Sequence, residues 1–180
     1  MKVIERNFII FDVETTGLEE DDFAIEIGMI IVDQTFKILD AYSTLAIPPI
    51  EVMNRLTKND TTWAASAAEA YAIHKISVND VLNEGLDYSL LAQRIKQLAV
   101  QYTLDKRKPI LISDNAYFDT FHLTKIVPNK NQFFHYSTWD TNLMFACAKI
   151  ADPIPVHRAL ADTFLLYNQL YPQCKNGLFQ

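Results

Sequence analysis

Asn7-Phe8-Ile9-Ile10-Phe11-Asp12-Val13 is a nearly unbroken apolar run, rich in aromatic and β-branched residues, and it predicts a buried strand. Thr15 to Asp22 is polar around Gly17 and predicts a turn. Ala24 to Val32 and Phe36 to Ile47 read as a second and a third strand, joined through Asp33-Gln34-Thr35. Three strands with such short connections form an antiparallel meander, which Pro48-Pro49 ends. Residues 50–80 are less regular. The Ala-rich stretch around Trp63 to Ala72 favours helix, and Asp80 to Asn83 adds a short helical turn before Gly85. Asp87 to Tyr102 carries Leu90, Leu91, Ile95, Leu98 and Ala99 at helical spacing. Pro109 to Ile112 predicts a short buried strand, with Ser113, Asp114 and Asn115 as cap candidates for a helix over Ala116 to Val127. Phe134 to Trp139 predicts a fifth strand, and Asp140-Thr141 the cap of a helix reaching Ile150. Ala151 to Val156 is a proline-bearing loop, and His157 to Tyr171 the last helix. This order predicts one α/β domain over residues 1–180, a mixed five-stranded sheet (antiparallel meander plus parallel strands) flanked by helices.

Composition narrows the function classes. With 49% hydrophobic and 21% charged residues in 180, the chain is an ordinary globule, not a disordered segment or a coiled coil. No apolar run approaches the length of a membrane span and Met1 to Arg6 has no signal-peptide core, so no membrane association and a cytoplasmic location are expected. Cys147 and Cys174, in no C-x-x-C pattern, agree with reduced thiols. The four glycines, Gly17, Gly28, Gly85 and Gly177, are too scattered for a dinucleotide fingerprint, a P-loop or a nucleophile elbow. Lys106-Arg107-Lys108 is short enough to be a solvated turn. A net charge of −6 argues against gripping nucleic acid by phosphate attraction alone.

The chemistry lies in the acids. Asp12 and Glu14, at i and i+2 of a strand, project from one face at its end. Two like charges held together there need a cation, and no Lys or Arg is close in sequence. All-oxygen ligands suit Mg²⁺ or Mn²⁺. About 0.6 such D-x-E pairs arise by chance in a chain of this composition, so the pair needs company. Asp119 supplies it from the first turn of the Ala116–Val127 helix, where the helix dipole favours a carboxylate. In a parallel arrangement the strand ends of Asp12, Glu14 and Asp119 open onto one crevice. His157 and Asp162 follow at an H-x₄-D spacing. His135 and Asp140 repeat that spacing, but His135 falls inside a predicted strand and Asp140 caps a helix, so this second pair is read as structural.

Phe11-Asp12-Val13-Glu14-Thr15-Thr16-Gly17-Leu18, Asn115-Ala116-Tyr117-Phe118-Asp119 and His157-Arg158-Ala159-Leu160-Ala161-Asp162 together resemble, in order and spacing, the three motifs of the DEDDh (DnaQ-like) exonucleases. That family includes proofreading subunits of replicative polymerases, ribonuclease T and oligoribonuclease. Asp140-Thr141 and Glu69 to Ser77 are similar to features between its motifs. The resemblance implies a ribonuclease H-like fold and stepwise 3′→5′ release of nucleoside monophosphates, with two divalent ions, Mg²⁺ or Mn²⁺, as cofactors. It implies that Asp12, Glu14 and Asp162 hold the first ion, that Asp12 bridges to the second with support from Asp119, and that His157 is the general base. It places Thr15, Thr16, Leu18, Asn115 and Phe118 around the substrate, with Leu18 wedged beside the last base. His74 is either a substrate contact or a capped helix end. Tyr117 and Trp63 are open between stacking and structure, and Phe121 and Trp139 are assigned to the core. Asp114 departs from the family, where many members carry His. The partner expected is a single-stranded 3′ end, with DNA ahead of RNA because the first and third motifs sit closest to the proofreading type. An oligoribonuclease-like activity is the alternative within the class, and an idle nucleic-acid- or protein-binding domain the alternative outside it. A protein partner such as a polymerase is compatible with either.

Overall fold

A computed structural model of the chain describes residues 5–58, 62–148 and 154–175. Strand β1, Phe8–Thr15, pairs antiparallel with β2, Ala24–Val32, which pairs antiparallel with β3, Ile38–Ile47. Helix α1, Ile50–Leu56, leads into a small hairpin of β4, Thr57–Lys58, and β5, Thr62–Trp63. A 3₁₀ turn then precedes α2, Ala68–His74, followed by α3, Val78–Glu84. A two-residue strand β6, Leu86–Asp87, runs parallel to β3. Next come α4, Tyr88–Gln101, β7, Ile110–Ser113, α5, Ala116–Ile126, β8, Thr138–Asp140, α6, Thr141–Ala148, and α7, Ala159–Lys175. The main sheet has the order β6-β3-β2-β1-β7-β8, with β7 parallel to β1 and β8 parallel to β7.

Alternation along β1 divides the core. Ile9, Phe11 and Val13 face α4 and α5, packing with Leu91, Ile95, Leu123 and Ile126. Phe8 and Ile10 face α7, packing with Leu166 and Leu170 and with Phe145 of α6. The residues that continue the second face are Asp12 and Glu14. The same face of β2 reads Val32, Ile30, Gly28, Glu26, by the pairing Phe8↔Val32, Ile10↔Ile30, Asp12↔Gly28 and Glu14↔Glu26. This side of the sheet is therefore apolar at one end and acidic at the other. Helix starts follow local chemistry: Ser77 and Asp80 form a reciprocal capping box for α3, Asp87 accepts from Ser89 and Leu90 at α4, and Asn115 accepts from the Phe118 amide at α5.

The mixed sheet flanked by helices is the arrangement expected, with several differences. The helix expected around Trp63 to Ala72 is α2, Ala68–His74, because Trp63 belongs to the β4–β5 hairpin, and that hairpin and α1 lie in the stretch whose pattern is irregular. The third strand begins at Ile38 because buried Phe36 adopts a left-handed conformation, φ 60°, and closes the turn after Asp33. The fifth predicted strand shrinks to Thr138–Asp140. Before it, Phe134 turns into the core and the His135 amide donates to the Pro109 carbonyl. The two-residue β6 makes the sheet six-stranded and is too short to leave a pattern. Helix α7 starts at Ala159, not His157, and runs through Pro172 to Lys175. The predicted helix end at 149–150 and part of the following loop, 151–153, lie outside the described residues. Around Lys106 the chain turns tightly, with Arg107 paired to Glu5 and Lys108 donating to the Asn131 carbonyl. Cys147 and Cys174 are both free thiols. Among the described residues no helix is long and apolar enough to cross a membrane.

Candidate active site

The C-terminal ends of β1 and β7 meet the first turns of α5 and α7 at a cleft of about 320 Å³, lined by Asp12, Glu14, Leu18, Asp114, Asn115, Phe118, Asp119, His157 and Asp162 among others. Strand alternation delivers Asp12 and Glu14, and the first turns of two helices deliver Asp119 and Asp162. Glu14, His157 and Asp162 each place a potential ligand atom within 4.8 Å of the others. Asp119 is 3% exposed and accepts a 2.6 Å hydrogen bond from the Ser113 hydroxyl.

The acids repel one another. Burial, then Asp119, Glu14, Asp162 and Asp114, raise the Asp12 carboxyl far above the usual range. Glu14 is pushed up to about 8 by burial and then by Asp162, Glu26 and Asp119, with Arg158 opposing. Asp119 is also raised, mainly by burial, against the pull of the Ser113 hydrogen bond. This is a set of carboxylates with one imidazole, and Arg158 offsets only part of the repulsion at Glu14. Its donor chemistry fits hard divalent ions.

Asp162 also organises what precedes it. Its carboxylate accepts from the Val156 amide at 2.6 Å and the Arg158 amide at 3.2 Å, closing a loop around His157, which adopts a left-handed φ of 61°. A side chain inside the helix thus caps its own lead-in. The helix accordingly begins at Ala159, two residues after the expected His157.

A second cavity, about 440 Å³, adjoins the first through Val13, Glu14, Leu18, Phe118 and His157 and adds Thr15, Gly17, Glu69, Ile73 and His74. Leu18 is 84% exposed at the mouth of both. Thr16 lines neither. It is 1% exposed, and its hydroxyl donates to Asp22 at 2.9 Å and accepts from the Phe23 amide. Of the residues expected around a substrate, Thr16 is thus spent on the turn, whereas Thr15, Leu18, Asn115 and Phe118 reach the cavities. A Cβ at Gly17 would fall 2.3 Å from Asp22 Oδ2 and would push that carboxylate off the Thr16 hydroxyl and the Glu19 amide. His74 Nδ1 accepts from the Ile76 amide at the end of α2 while the residue still lines the second cavity, so both readings of it survive. Trp63 Nε1 donates to the Ile76 carbonyl, which makes it structural, and Tyr117 is exposed. Trp139 packs on the core against Phe8, and Phe121 lines a shallow groove outside the cleft with Tyr117. Asp114 lines the cleft and accepts from the Thr141 hydroxyl. Asp140 accepts from the Ala116 and Leu143 amides, and His135 Nδ1 from the Ser137 amide, so this pair is structural as read. Glu26 and Arg158 have no signal of their own in the sequence. The pair shows only once β2 and α7 are together.

Residues 9–170 match the model of the RNase_T family, described as exonuclease. The PolC-type DNA polymerase III of Caldanaerobacter subterraneus subsp. tengcongensis is 28% identical over 127 residues, covering 68% of this chain and 9% of that protein. Among solved structures, exonuclease I of E. coli superposes with a TM-score of 0.69 in its zinc-bound complex with single-stranded DNA and 0.70 in a complex with a dA13 oligonucleotide. Identities are 18% and 19%; 97% of this chain is covered, against 43% and 42% of the exonuclease I chains, so it spans less than half the length of these neighbours. The fold is ribonuclease H-like, and the chain belongs to the RNase T-type, DnaQ-like family of exonucleases.

Proposed function

We propose that this exonuclease works in the 3′→5′ direction, depends on divalent metal, and releases nucleoside 5′-monophosphates from single-stranded ends, DNA ahead of RNA. The observation that carries the reading is the convergence of Asp12, Glu14, Asp119, His157 and Asp162 on one cleft. Support for DNA comes from the single-stranded DNA named for the exonuclease I complexes and from the polymerase relative. Asp12, Glu14 and Asp162 would hold one Mg²⁺ or Mn²⁺, and Asp12 with Asp119 a second. When bound, the ions neutralise the scissile phosphate and acidify the attacking water. His157 takes the proton from that water at a ring nitrogen as the water oxygen bonds to phosphorus and the bond to the 3′-oxygen breaks. Leu18 and Phe118 flank the terminal base, and Thr15 lines the pocket behind it. The acids repel any phosphate that arrives without cations, so the protein discriminates for the metal-loaded site.

The test is digestion of 5′-labelled and 3′-labelled single strands, DNA and RNA in parallel, with Mn²⁺. A ladder from the 5′ label and an immediate mononucleotide from the 3′ label are expected, and Asp12→Ala abolishes both. The reverse labelling pattern defeats the direction, and full activity of Asp12→Ala defeats the metal assignment. His157→Ala keeps Mn²⁺ binding and lowers turnover roughly 10²–10⁴-fold. If Mn²⁺ affinity collapses instead, the closeness of His157 to Glu14 and Asp162 reflects ligation, and the general-base role is wrong.

A further inference from the structure

Strand β2 is buried from end to end and carries one charged side chain, Glu26, which is 4% exposed and lies opposite Glu14. Stability gives no reason for an acid there, since apolar residues in place of buried ion pairs are often neutral or stabilising. The contacts of Glu26 give another reason. Its carboxylate accepts from Arg158 Nε at 3.1 and 3.3 Å, from an Arg158 terminal nitrogen at 2.8 Å, and from the Ala159 amide at 2.9 Å. Two residues along the same strand face, Gly28 leaves room for the helix backbone: a Cβ there would fall 2.4 Å from the Ala159 carbonyl carbon and 2.3 Å from the Leu160 nitrogen. The left-handed turn of His157 lies between two anchors, Asp162 holding the amides of Val156 and Arg158, and Glu26 holding the side chain of Arg158 and the amide of Ala159. The left-handed region is costly for a non-glycine residue, and these flanking contacts help to offset that cost.

We infer that Glu26 and Arg158 are a positioning pair that fixes His157 and the first turn of α7 over the carboxylates of β1. The consequence for turnover rests on the nuclease reading, whereas the pinning itself does not. Glu26 is buried, and its hydrogen bonds reach the His157 segment through Arg158 and the Ala159 amide. Its charge also bears on Glu14, which is why the uncharged Glu26→Gln and the charge-preserving Arg158→Lys are both needed. Displacing a catalytic group by about an ångström is enough to cost roughly 10²-fold in rate.

The test uses Glu26→Ala, with Glu26→Gln as the variant closest in shape, on a 5′-labelled oligo(dT) with Mn²⁺, together with amide hydrogen exchange. Turnover is expected to fall roughly 10- to 100-fold with KM changed less than about twofold. Exchange at Arg158 and Ala159 should accelerate while Leu166 to Leu170 stay protected. Arg158→Lys keeps the cation but not the two-pronged contact and should fold normally with reduced turnover. Wild-type turnover in either Glu26 variant or in Arg158→Lys, unchanged exchange at Ala159, or loss of protection along all of α7 in both Glu26 variants overturns the inference. If the wild-type chain releases no mononucleotide, the nuclease reading fails, and exchange at Ala159 still decides whether Glu26 pins the segment.

Discussion

At the scale of single residues, the site is held under electrostatic tension. Glu14 titrates near 8, and Asp12 and Asp119 are raised with it, because folding brings acids together and buries them. Groups whose folded pKa lies above the unfolded value stabilise the fold fully below that unfolded value and lose the contribution as pH rises through the folded one. In chelator, the thermal midpoint should therefore fall between pH 5 and 8, and Mn²⁺ should restore it most at the alkaline end. Asp12→Asn removes one of the repelling charges. It should raise the midpoint of the metal-free protein at pH 8 while abolishing hydrolysis, and a lowered midpoint there would contradict the repulsion argument. His122 titrates in the opposite sense. It is 1% exposed between Phe118 and Phe121, and burial pushes it from its ordinary 6.5 down to about 4. Its contribution is complete above pH 6.5 and lost as pH falls through about 4. His122→Leu should flatten the acid loss of stability in a urea titration between those pH values, and an unchanged slope would place that loss elsewhere.

At the scale of elements, the site follows from one gradient repeated on two strands. The α7 face of β1 and of β2 begins with Phe8, Ile10, Val32 and Ile30 and ends with Asp12, Glu14, Gly28 and Glu26. The apolar half binds Leu166 and Leu170, which sets the axis of α7 and so delivers Asp162 over the acidic half. Gly28→Ala tests this seat, since its Cβ meets backbone that cannot rotate away. It should destabilise by about 1–3 kcal/mol in denaturant and lower turnover together. Full activity at wild-type stability would show that α7 shifts at no cost. The half of the gradient on β1 was legible in sequence, because Asp12 and Glu14 interrupt an apolar run at period two. Asp119 was legible from its place just after a cap. Glu26 was not. It is the lone charge in an otherwise apolar strand with no polar partner nearby in sequence, and Arg158 is 132 residues away. The start of α7 lies two residues past the expected His157 for a related reason, because Asp162 caps backward from inside the helix, a contact that no local pattern registers. β8 is shorter than the expected Phe134–Trp139 strand because Phe134 is apolar for the sake of the core and not of a strand.

At the scale of the whole molecule, the net charge of −6 bears on how a strand is held. Four of the five converging site residues are acids, so much of the local negative potential is the site, and two divalent ions would offset it where the terminal phosphate lies. Among the described residues, several of the chain's cations are already engaged within the protein. Arg55, Arg107 and Arg158 are paired with Asp21, Glu5 and Glu26, and Lys125 is turned onto the Glu20 and Asp22 carbonyls. Binding should then depend on the last few nucleotides, with stacking and metal contacts outweighing backbone attraction. Each phosphate neutralised by protein cations on a single strand contributes a slope of about −0.7 to log affinity against log salt. For one or two such contacts, log(kcat/KM) on oligo(dT) against log[KCl] at saturating Mn²⁺ should fall no more steeply than about −1.5. Lengthening the oligonucleotide beyond a handful of residues should leave that slope unchanged. A slope of about −4 that steepens with length would require a basic track along this chain and would overturn the picture of an enzyme that grips only the end.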